Sequence, residues 1–346
     1  MRKPAIFAIL SLLFPLLLPA QGANRLYNEA VQYYFAEDYA QAEDHVKLAL
    51  KIQKTFPDAW FLRAQIEREQ QQYRKALKYF KRALKLTPSE PEYLFYRAET
   101  YADMGKLKKA VREYQATLDA DDRYFLALDR LGTTYYENGA LTTAYDYFSR
   151  SLSIDPSRLA IYLARGRTAY DLGKYPAAIG DCDLALALES ESVDAHRLRG
   201  KAHLIQGNIQ EAVNDFSMVL NYDSSDAATY LNRGVALLVA GLRPQAAEDL
   251  DQAIAYDSTL ANAWWNRAIL RFEDDRLEDA WVDINHSTQL DPNDAQAWLL
   301  QGRIAFALRK YKEAVKAYDQ SLNLNGSFTE AYLKRGEAYR ELDKPK

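Results

Sequence analysis

A regular spacing runs through almost the whole chain. Arg165, Arg199, Arg233 and Arg267 recur with a period of 34, each within an apolar string such as YLNRGVALL at 230–238. Blocks of this length counted from Ala23 all carry alanine at position 20 and glycine or alanine at position 8. Nine complete blocks begin at residues 23, 57, 91, 125, 159, 193, 227, 261 and 295. Repetition at this length predicts an array of small units, each packed on its neighbours.

Each block contains the pattern of two helices. Positions 4, 7, 8 and 11 form an i, i+3, i+4, i+7 stripe, and positions 20, 24 and 27 form a second stripe. Turn-forming residues such as Asn138-Gly139 separate the stripes, and Asp155-Pro156 or a similar pair follows the second. A block therefore predicts a helix–turn–helix hairpin, in which the small residues at positions 8 and 20 let the helices approach closely.

These residues resemble the tetratricopeptide repeat family. The resemblance includes Trp60, Trp264 and Trp298 at position 4, tyrosines such as Tyr101 at position 11, and Pro156 at position 32, although position 7 is usually arginine here. It covers residues 23–346 and implies an all-α, right-handed α-solenoid. Nine repeats would occupy residues 23–328, and 329–346 would supply a capping helix and tail. No residues are then left for a second domain that could hold an active site.

The arginines at position 7 vary together with position 23. An acid occupies position 23 in five blocks, and all five have arginine at position 7. The pairs are Arg97 with Glu113, Arg165 with Asp181, Arg199 with Asp215, Arg233 with Asp249, and Arg267 with Asp283. Because the two positions lie symmetrically about the turn, antiparallel helices bring them to the same height. We predict an Arg–acid bridge within these hairpins; the alternative is that the arginines point into a ligand groove.

Residues 1–22 have the composition of a secretory signal peptide. A basic start, MRK, precedes an apolar stretch at 5–18, and Ala20, Gly22 and Ala23 provide small residues for cleavage near 20–23. The apolar stretch is shorter than the roughly 20 residues of a spanning helix. We therefore predict an exported protein, periplasmic or extracellular, with no membrane span after cleavage.

Motifs of catalysis and cofactor binding are absent from the sequence. It contains no phosphate-binding Gly-rich loop, no Gly-x-Ser-x-Gly, no His-Glu-x-x-His and no Cys-x-x-Cys. His196 and His203 share a helix face, yet they occupy positions 4 and 11 of the predicted core and have no third ligand in view. Cys182 occupies the apolar position 24, which predicts a buried thiol. We expect no enzymatic activity, no cofactor and no metal, and the net charge of −4 argues against nucleic acid as the partner.

The resemblance also implies a binding surface. In the family, positions 2, 5, 6, 9, 12 and 13 of the first helices face a concave groove. The corresponding apolar candidates here are Leu231, Val235, Trp265, Ile269, Phe272, Leu299 and Phe306. We expect them to be partly exposed and rimmed by charges such as Arg303 and Glu273; the alternative is that they pack between repeats.

A polar part of the groove precedes the apolar part. Arg197, Lys201 and Asn232 partly match the family's clamp for a peptide carboxylate, but Asn262 and Asn266 stand where the clamp needs cations. The sequence therefore predicts a non-catalytic scaffold that binds a peptide or helix of a partner protein in the groove. The alternatives are an accessory subunit of an envelope assembly or secretion complex, bound by the convex face, and a regulatory subunit of a separately encoded enzyme.

Overall fold

The computed structural model describes residues 21–343, and within that range the regular structure is entirely helical. Helix α1 covers the described residues 21–35. The others are α2 Tyr39–Ile52, α3 Pro57–Glu69, α4 Tyr73–Leu86, α5 Pro91–Asp103, α6 Leu107–Ala120, α7 Phe125–Glu137, α8 Leu141–Ile154, α9 Leu159–Asp171, α10 Tyr175–Leu188, α11 Val193–Gln206, α12 Ile209–Tyr222, α13 Ala227–Val239, α14 Arg243–Tyr256, α15 Ala261–Glu273, α16 Leu277–Leu290, α17 Ala295–Ala307, α18 Tyr311–Leu324 and α19 Thr329–Leu342. The odd-numbered helices from α3 onward thus begin at the interval of the sequence repeat.

The helices pack as hairpins in two compact units, one ending at Thr168 and the other starting at Ala169. In the first unit, α3 packs against α4, α5 against α6, and α7 against α8. In the second unit the hairpins are α11 with α12, α13 with α14, α15 with α16, and α17 with α18. The first helices of the second unit, α11, α13, α15, α17 and α19, also contact one another in sequence. Each unit is therefore a row of helix hairpins, the arrangement of an α-solenoid.

The core of each hairpin is built from the small and apolar positions of the repeat. In α12, Ala212 at position 20 and Phe216 at position 24 are both fully buried. The Phe216 ring packs against α11 at Gly200, where a Cβ atom would lie 2.8 Å from the ring. Glycine is therefore required at this position 8 by close packing, which outweighs its helix cost of roughly 1 kcal/mol.

The turn inside each hairpin needs a left-handed residue at position 15. Five blocks use glycine there, with φ between 70° and 79°, whereas Glu37, Gln71, Asp275 and Arg309 adopt φ of 58° or 59° in the other blocks. A side chain makes this conformation unfavourable by roughly 1–2 kcal/mol. Four turns are therefore less favourable than their glycine counterparts.

The predicted signal peptide, 1–22, falls almost wholly outside the described residues, and only residues 21 and 22 belong to α1. Within the described range, no helix is both long enough and apolar enough to cross a bilayer. Export accordingly stays a prediction from the sequence.

Candidate functional site

The predicted bridge between positions 7 and 23 is confirmed in four of the five pairs, and the pair of Arg165 with Asp181 stays a prediction. In α13, the Arg233 guanidinium donates from Nε to Asp249 Oδ2 and from Nη2 to Asp249 Oδ1, both at 2.7 Å. The same two-point bridge joins Arg199 to Asp215 at 2.9 and 2.7 Å. Further bridges join Arg267 to Asp283, at 2.9 and 2.8 Å, and Arg97 to Glu113. The arginine on the apolar stripe is thus held by the second helix of its own hairpin.

In Arg199, Arg233 and Arg267 the remaining nitrogen, Nη1, bonds the preceding hairpin, a contact that the sequence analysis missed. Nη1 of Arg233 donates to Ser217 Oγ at 3.1 Å, and Nη1 of Arg267 donates to Asp251 Oδ1 at 2.6 Å. Both acceptors occupy position 25 of the previous block. Gln301 at position 7 makes the equivalent contact with Asn285 at 2.7 Å. The recurrence of serine, aspartate or asparagine at position 25 was the sequence signal for this contact between blocks.

Burial makes the bridges structural rather than ligand-binding. Asp249 is only 5 % exposed, and its hydrogen bonds raise the pKa of the Arg233 guanidinium above the ordinary arginine value. Two of the three guanidinium nitrogens face a carboxylate inside the hairpin, and the third bonds the neighbouring hairpin. The contacts therefore assign this arginine to the helix–helix contacts of the hairpin, against the alternative of a groove position.

Four of the seven apolar candidates meet at one pocket, which we call the Trp265 pocket. Its apolar walls include Trp265, Ile269 and Phe272 of α15 and Leu299 of α17. Leu300 and Gln296 complete the lining, and Glu273 and Arg303 add the charges expected at the rim. The pocket volume is about 250 Å³. Gln296 and Leu300, which were not among the candidates, occupy the groove positions 2 and 6 of their block.

The pocket residues also pack between repeats. Trp265, Ile269 and Phe272 are partly buried against a cluster that includes Ala297 and Leu300 of the next first helix. The two interpretations of this stripe are thus not exclusive. One side of each residue stabilises the repeat interface, and the other lines the pocket.

Leu299 corrects one expectation, because only 7 % of it is exposed instead of the partial exposure that we predicted. It packs in a cluster with Ala331 and Ala338 of α19, whose small side chains allow that helix to approach. Leu299 thus packs mainly in the interface between α17 and α19, and only a small part of its side chain lines the pocket.

The other three apolar candidates do not line the pocket. Leu231 is partly buried against Ile254 and Ala263. Val235 is also partly buried. Phe306 packs against the core cluster of α17–α19 and meets the Tyr311 ring edge-on, with 5.4 Å between centroids.

The adjacent residues Trp264 and Trp265 differ in their hydrogen bonds. Nε1 of Trp264 donates to the Ser258 carbonyl at 2.9 Å, and Trp60 and Trp298 make the same bond to carbonyls six residues earlier. Trp264 is nevertheless only partly buried, contrary to its expected core position, and its ring packs on His286. Nε1 of Trp265 is buried and has no acceptor among residues 21–343. An indole N–H is only a donor, so this buried group of Trp265 has no hydrogen bond among the described residues.

The polar candidates differ in whether they already have a partner. Arg197 bonds Asp194 at 2.8 Å and Asp226 at 2.9 Å, so that its guanidinium is already paired with carboxylates. Although burial raises the pKa of Asp226, hydrogen bonds from Thr229 and Arg197 outweigh that effect and lower its pKa below the ordinary value. Lys201 and Asn232 are partly buried, and neither has a side-chain partner within the described range. Arg197 therefore serves the contact between α11 and α13.

The residues that suggested a metal or a reactive thiol have structural roles. His196 is buried at position 4, where its Nε2 lies 3.2 Å from the Ser190 carbonyl and its Nδ1 lies 2.8 Å from Asp215 Oδ1. The first contact reproduces the bond of the position-4 tryptophans. Over residues 21–343, no three histidine, cysteine or acidic side chains are grouped in a way that could hold a metal. Burial raises the pKa of the Cys182 thiol to about 12, which keeps it protonated and unreactive at neutral pH.

Solved structures share this fold at low sequence identity. A tetratricopeptide repeat protein from Parabacteroides merdae is 19% identical, with a TM-score of 0.55, over 72% of this chain and 98% of its own. PilF of Pseudomonas aeruginosa is 19% identical, with a TM-score of 0.55, over 64% of this chain and 98% of its own. The anaphase-promoting complex hetero-tetramer Cut9–Hcn1 gives 15% identity and a TM-score of 0.55, over 91% of this chain and 76% of that chain. At these identities the likeness shows the fold alone.

Sequence comparison identifies the family. A search of curated proteins found no significant match. A family model described as tetratricopeptide repeat matches residues 27–91, 61–124, 95–158 and 163–228, and a second model with that description matches 295–328. Together these ranges span well over half of the chain. The protein therefore belongs to the tetratricopeptide repeat family, whose fold supports protein–protein interaction.

Proposed function

We propose that the protein is an exported, non-catalytic scaffold that binds a peptide or helix of a partner protein on the surface formed by α13, α15 and α17. The Trp265 pocket is the observation that carries this proposal. It combines aromatic and aliphatic walls with two charged rim residues, Glu273 and Arg303. Such a composition is typical of an anchoring pocket in a protein interface.

The size of the pocket favours a side chain over a small-molecule ligand. A volume of about 250 Å³ lies below the roughly 300–1,000 Å³ of pockets that enclose drug-sized ligands. One large apolar side chain of a peptide fits this space.

The rim residues orient the ligand. The Arg303 guanidinium lies 5.4 Å from the centroid of the Phe272 ring, and its nearest carboxylate, on Glu330, is 3.8 Å away. Its hydrogen-bonding capacity is thus largely unused. Glu273 is exposed and also pairs with Arg243 at 2.7 Å. A peptide with an acidic residue beside its apolar anchor complements Arg303.

Site-specific photocrosslinking in the native envelope tests this surface. A benzophenone amino acid replaces Gln296, an exposed residue of the pocket, or Gln210, an exposed residue on the second helix α12. We expect a defined crosslink from position 296, identified by mass spectrometry, and its loss in Trp265→Ala. Crosslinks from position 210 alone would contradict the proposal and favour an accessory subunit that is bound by its second helices.

The adjacent tryptophans provide a matched control. Trp264→Ala removes an indole that donates a hydrogen bond to the Ser258 carbonyl and packs on the His286 ring. This variant should therefore lower the free energy of unfolding by about 3 kcal/mol. At low temperature, where the variant is still folded, it should leave the crosslink intact. Trp265→Ala should lower stability less and abolish the crosslink. Equal destabilisation by both substitutions with an unchanged crosslink would assign Trp265 to packing alone.

Export has a separate test. When residues 1–30 are fused to a phosphatase that is active only outside the cytoplasm, cells that make the fusion should show phosphatase activity. Leu13→Arg together with Leu17→Arg, which interrupts the apolar stretch, should abolish it. Activity that persists in this variant would show that the segment is not the export signal.

A further inference from the structure

Helix α4 carries six cations and no acidic residue. All six are exposed, and we call them the α4 basic face: Arg74, Lys75, Lys78, Lys81, Arg82 and Lys85. Four of them recur at i, i+4, i+7 and i+11 from Arg74, so they share one side of the helix. The opposite side, which includes Phe80 and Leu84, is buried in the hairpin.

Most of the α4 basic face has no counter-ion among the described residues. Lys75 lies 3.5 Å from Glu67, and the Arg82 guanidinium lies over the Trp60 ring, 4.5 Å from its centroid. The other four cations form no ion pair within residues 21–343. Three pairs of cations are also four residues apart on the helix, and like charges at this spacing repel each other. An anionic ligand would therefore relieve a repulsion that the fold leaves uncompensated.

The single sign of this helix is not a property of the repeat. Among the other second helices, α10, α12, α14 and α16 each contain more acidic residues than cations, and α18 contains equal numbers. The whole chain has a net charge of −4. An exposed side that serves solubility alone carries both signs, so six cations together indicate a ligand.

The positive surface is extended rather than a single point. The row from Arg74 to Lys85 is roughly 16 Å long at 1.5 Å per residue. Helices α4 and α6 both pack against α5. Four more exposed cations lie at the start of α6: Lys106, Lys108, Lys109 and Arg112. A complementary ligand therefore offers negative charge over an area.

We propose that the α4 basic face binds the anionic headgroups of a lipid bilayer surface. Where this chain holds a carboxylate at a fixed place, as Arg233 does, it uses a planar guanidinium with two hydrogen bonds. On α4, four of the six cations are lysines, whose ammonium groups are flexible point charges. Such a face suits many mobile headgroups better than the fixed carboxylates of a folded partner. Clusters of about four to eight cations on an amphipathic helix attract anionic lipids in this way.

The contact with the bilayer is peripheral. The apolar side of α4 is occupied by the hairpin core, where Phe80 is fully buried, so it does not insert among acyl chains. Electrostatic attraction is then the main contribution, and salt weakens it. The face lies on a second helix of the first compact unit, whereas the Trp265 pocket lies on first helices of the second unit. Lipid binding by this face does not require the pocket.

Flotation of the full chain with lipid vesicles tests the proposal. Vesicles of phosphatidylcholine and phosphatidylglycerol in equal parts supply the anionic surface. Vesicles of phosphatidylcholine alone measure binding that does not depend on charge, including any by the apolar stretch at 5–18. We expect stronger binding to the anionic vesicles, and loss of this excess as the salt concentration rises. Lys81→Gln with Lys85→Gln should weaken the excess at least about tenfold, because each cation near such a surface contributes roughly fivefold.

A matched pair on α18 separates the charge of this face from the net charge. Lys312 and Lys316 are exposed and also lie four residues apart on a second helix. Lys312→Gln with Lys316→Gln should therefore leave binding to anionic vesicles nearly unchanged. The α4 double variant should melt at or above the wild-type temperature, because it loses a repulsion on the helix.

Two kinds of result would overturn the proposal. The first is equal binding to the two kinds of vesicle, or equal losses in the two double variants. The second is tighter binding to poly-glutamate or to a DNA duplex than to anionic vesicles at the same concentration of negative charge, with loss in the α4 double variant. The face would then belong to an acidic protein or to a nucleic acid.

Discussion

Removing Arg233 tests whether the Arg–acid bridge holds each hairpin together. Arg233→Ala leaves Asp249, which is 5 % exposed, without its two bonds of 2.7 Å. Loss of one partner from a buried ion pair typically costs about 3–5 kcal/mol, because the other charge stays desolvated and uncompensated. We expect the free energy of unfolding to fall by about 3 kcal/mol, the lower end of that range, since the side chain of Arg233 is 23% exposed and water can partly enter.

The double variant supplies the decisive comparison. Arg233→Ala with Asp249→Ala removes both charges, so no uncompensated group remains. We expect the double loss to be smaller than the sum of the single losses by about 1–3 kcal/mol. Additive losses would refute the idea that the two residues act as one bridge.

Arg243 provides the control, because it also makes two short contacts with carboxylate oxygens, although its two carboxylates lie at the surface. Its partners Glu273 and Asp274 lie at 2.7 and 2.6 Å and are both exposed. Arg243→Ala should therefore cost less than about 1 kcal/mol. Urea titration followed by circular dichroism measures each variant. Hydrogen exchange of the α13 and α14 amides is measured as well, because an array of repeats need not unfold in one step.

Repeat geometry and burial lead to three further predictions. Gln71→Gly should stabilise the protein by about 0.5–1 kcal/mol because it removes a side chain from a left-handed residue with φ of 58°, whereas Gly207→Ala should destabilise it by about 1 kcal/mol. Thermal melts that rank the two variants in the opposite order would contradict the turn assignment. Burial raises the pKa of Cys182 from 9.0 to about 12, so the contribution of the protonated thiol to stability is complete below pH 9 and is lost as the pH rises towards 12. In urea titrations, the wild type should therefore lose stability relative to Cys182→Ala between pH 9 and 11, and parallel pH profiles would show that the thiol is not desolvated. Deleting the block 227–260 should leave a folded helical protein by circular dichroism, and deleting 227–243 alone should not; equal damage would count against the repeat architecture.

The repeat made most of the fold predictable from the sequence. Positions such as 8, 20 and 24 recur because each is set by local packing within a hairpin, and one block therefore explains the others. Covariation of positions 7 and 23 revealed the bridge for the same reason. The contact from Arg233 to Ser217 was missed because it joins two blocks, and covariation was sought only within one.

The candidate site was less predictable, since one residue of the groove stripe can serve two surfaces at once. Hydrophobicity alone does not distinguish Leu299, which is 7 % exposed, from Ile269, which lines the pocket while partly exposed. Their difference depends on the next first helix, since Leu299 packs with the alanines of α19. The ion pairs of Arg197 with Asp194 and Asp226 were also not predicted, because they depend on where the side chains meet in three dimensions.

Arginine at position 7 does not make the same set of contacts in every block. Inside a complete hairpin, the guanidinium of Arg267 is saturated by Asp283 and Asp251. On α19, Arg335 keeps the contact to the preceding hairpin but lacks the one to a second helix within the described range. The contact with the preceding hairpin and the contact with the second helix are therefore made independently, by different nitrogens of one guanidinium. Covariation within a block reveals only the second of them, because the partner in the first belongs to the block before.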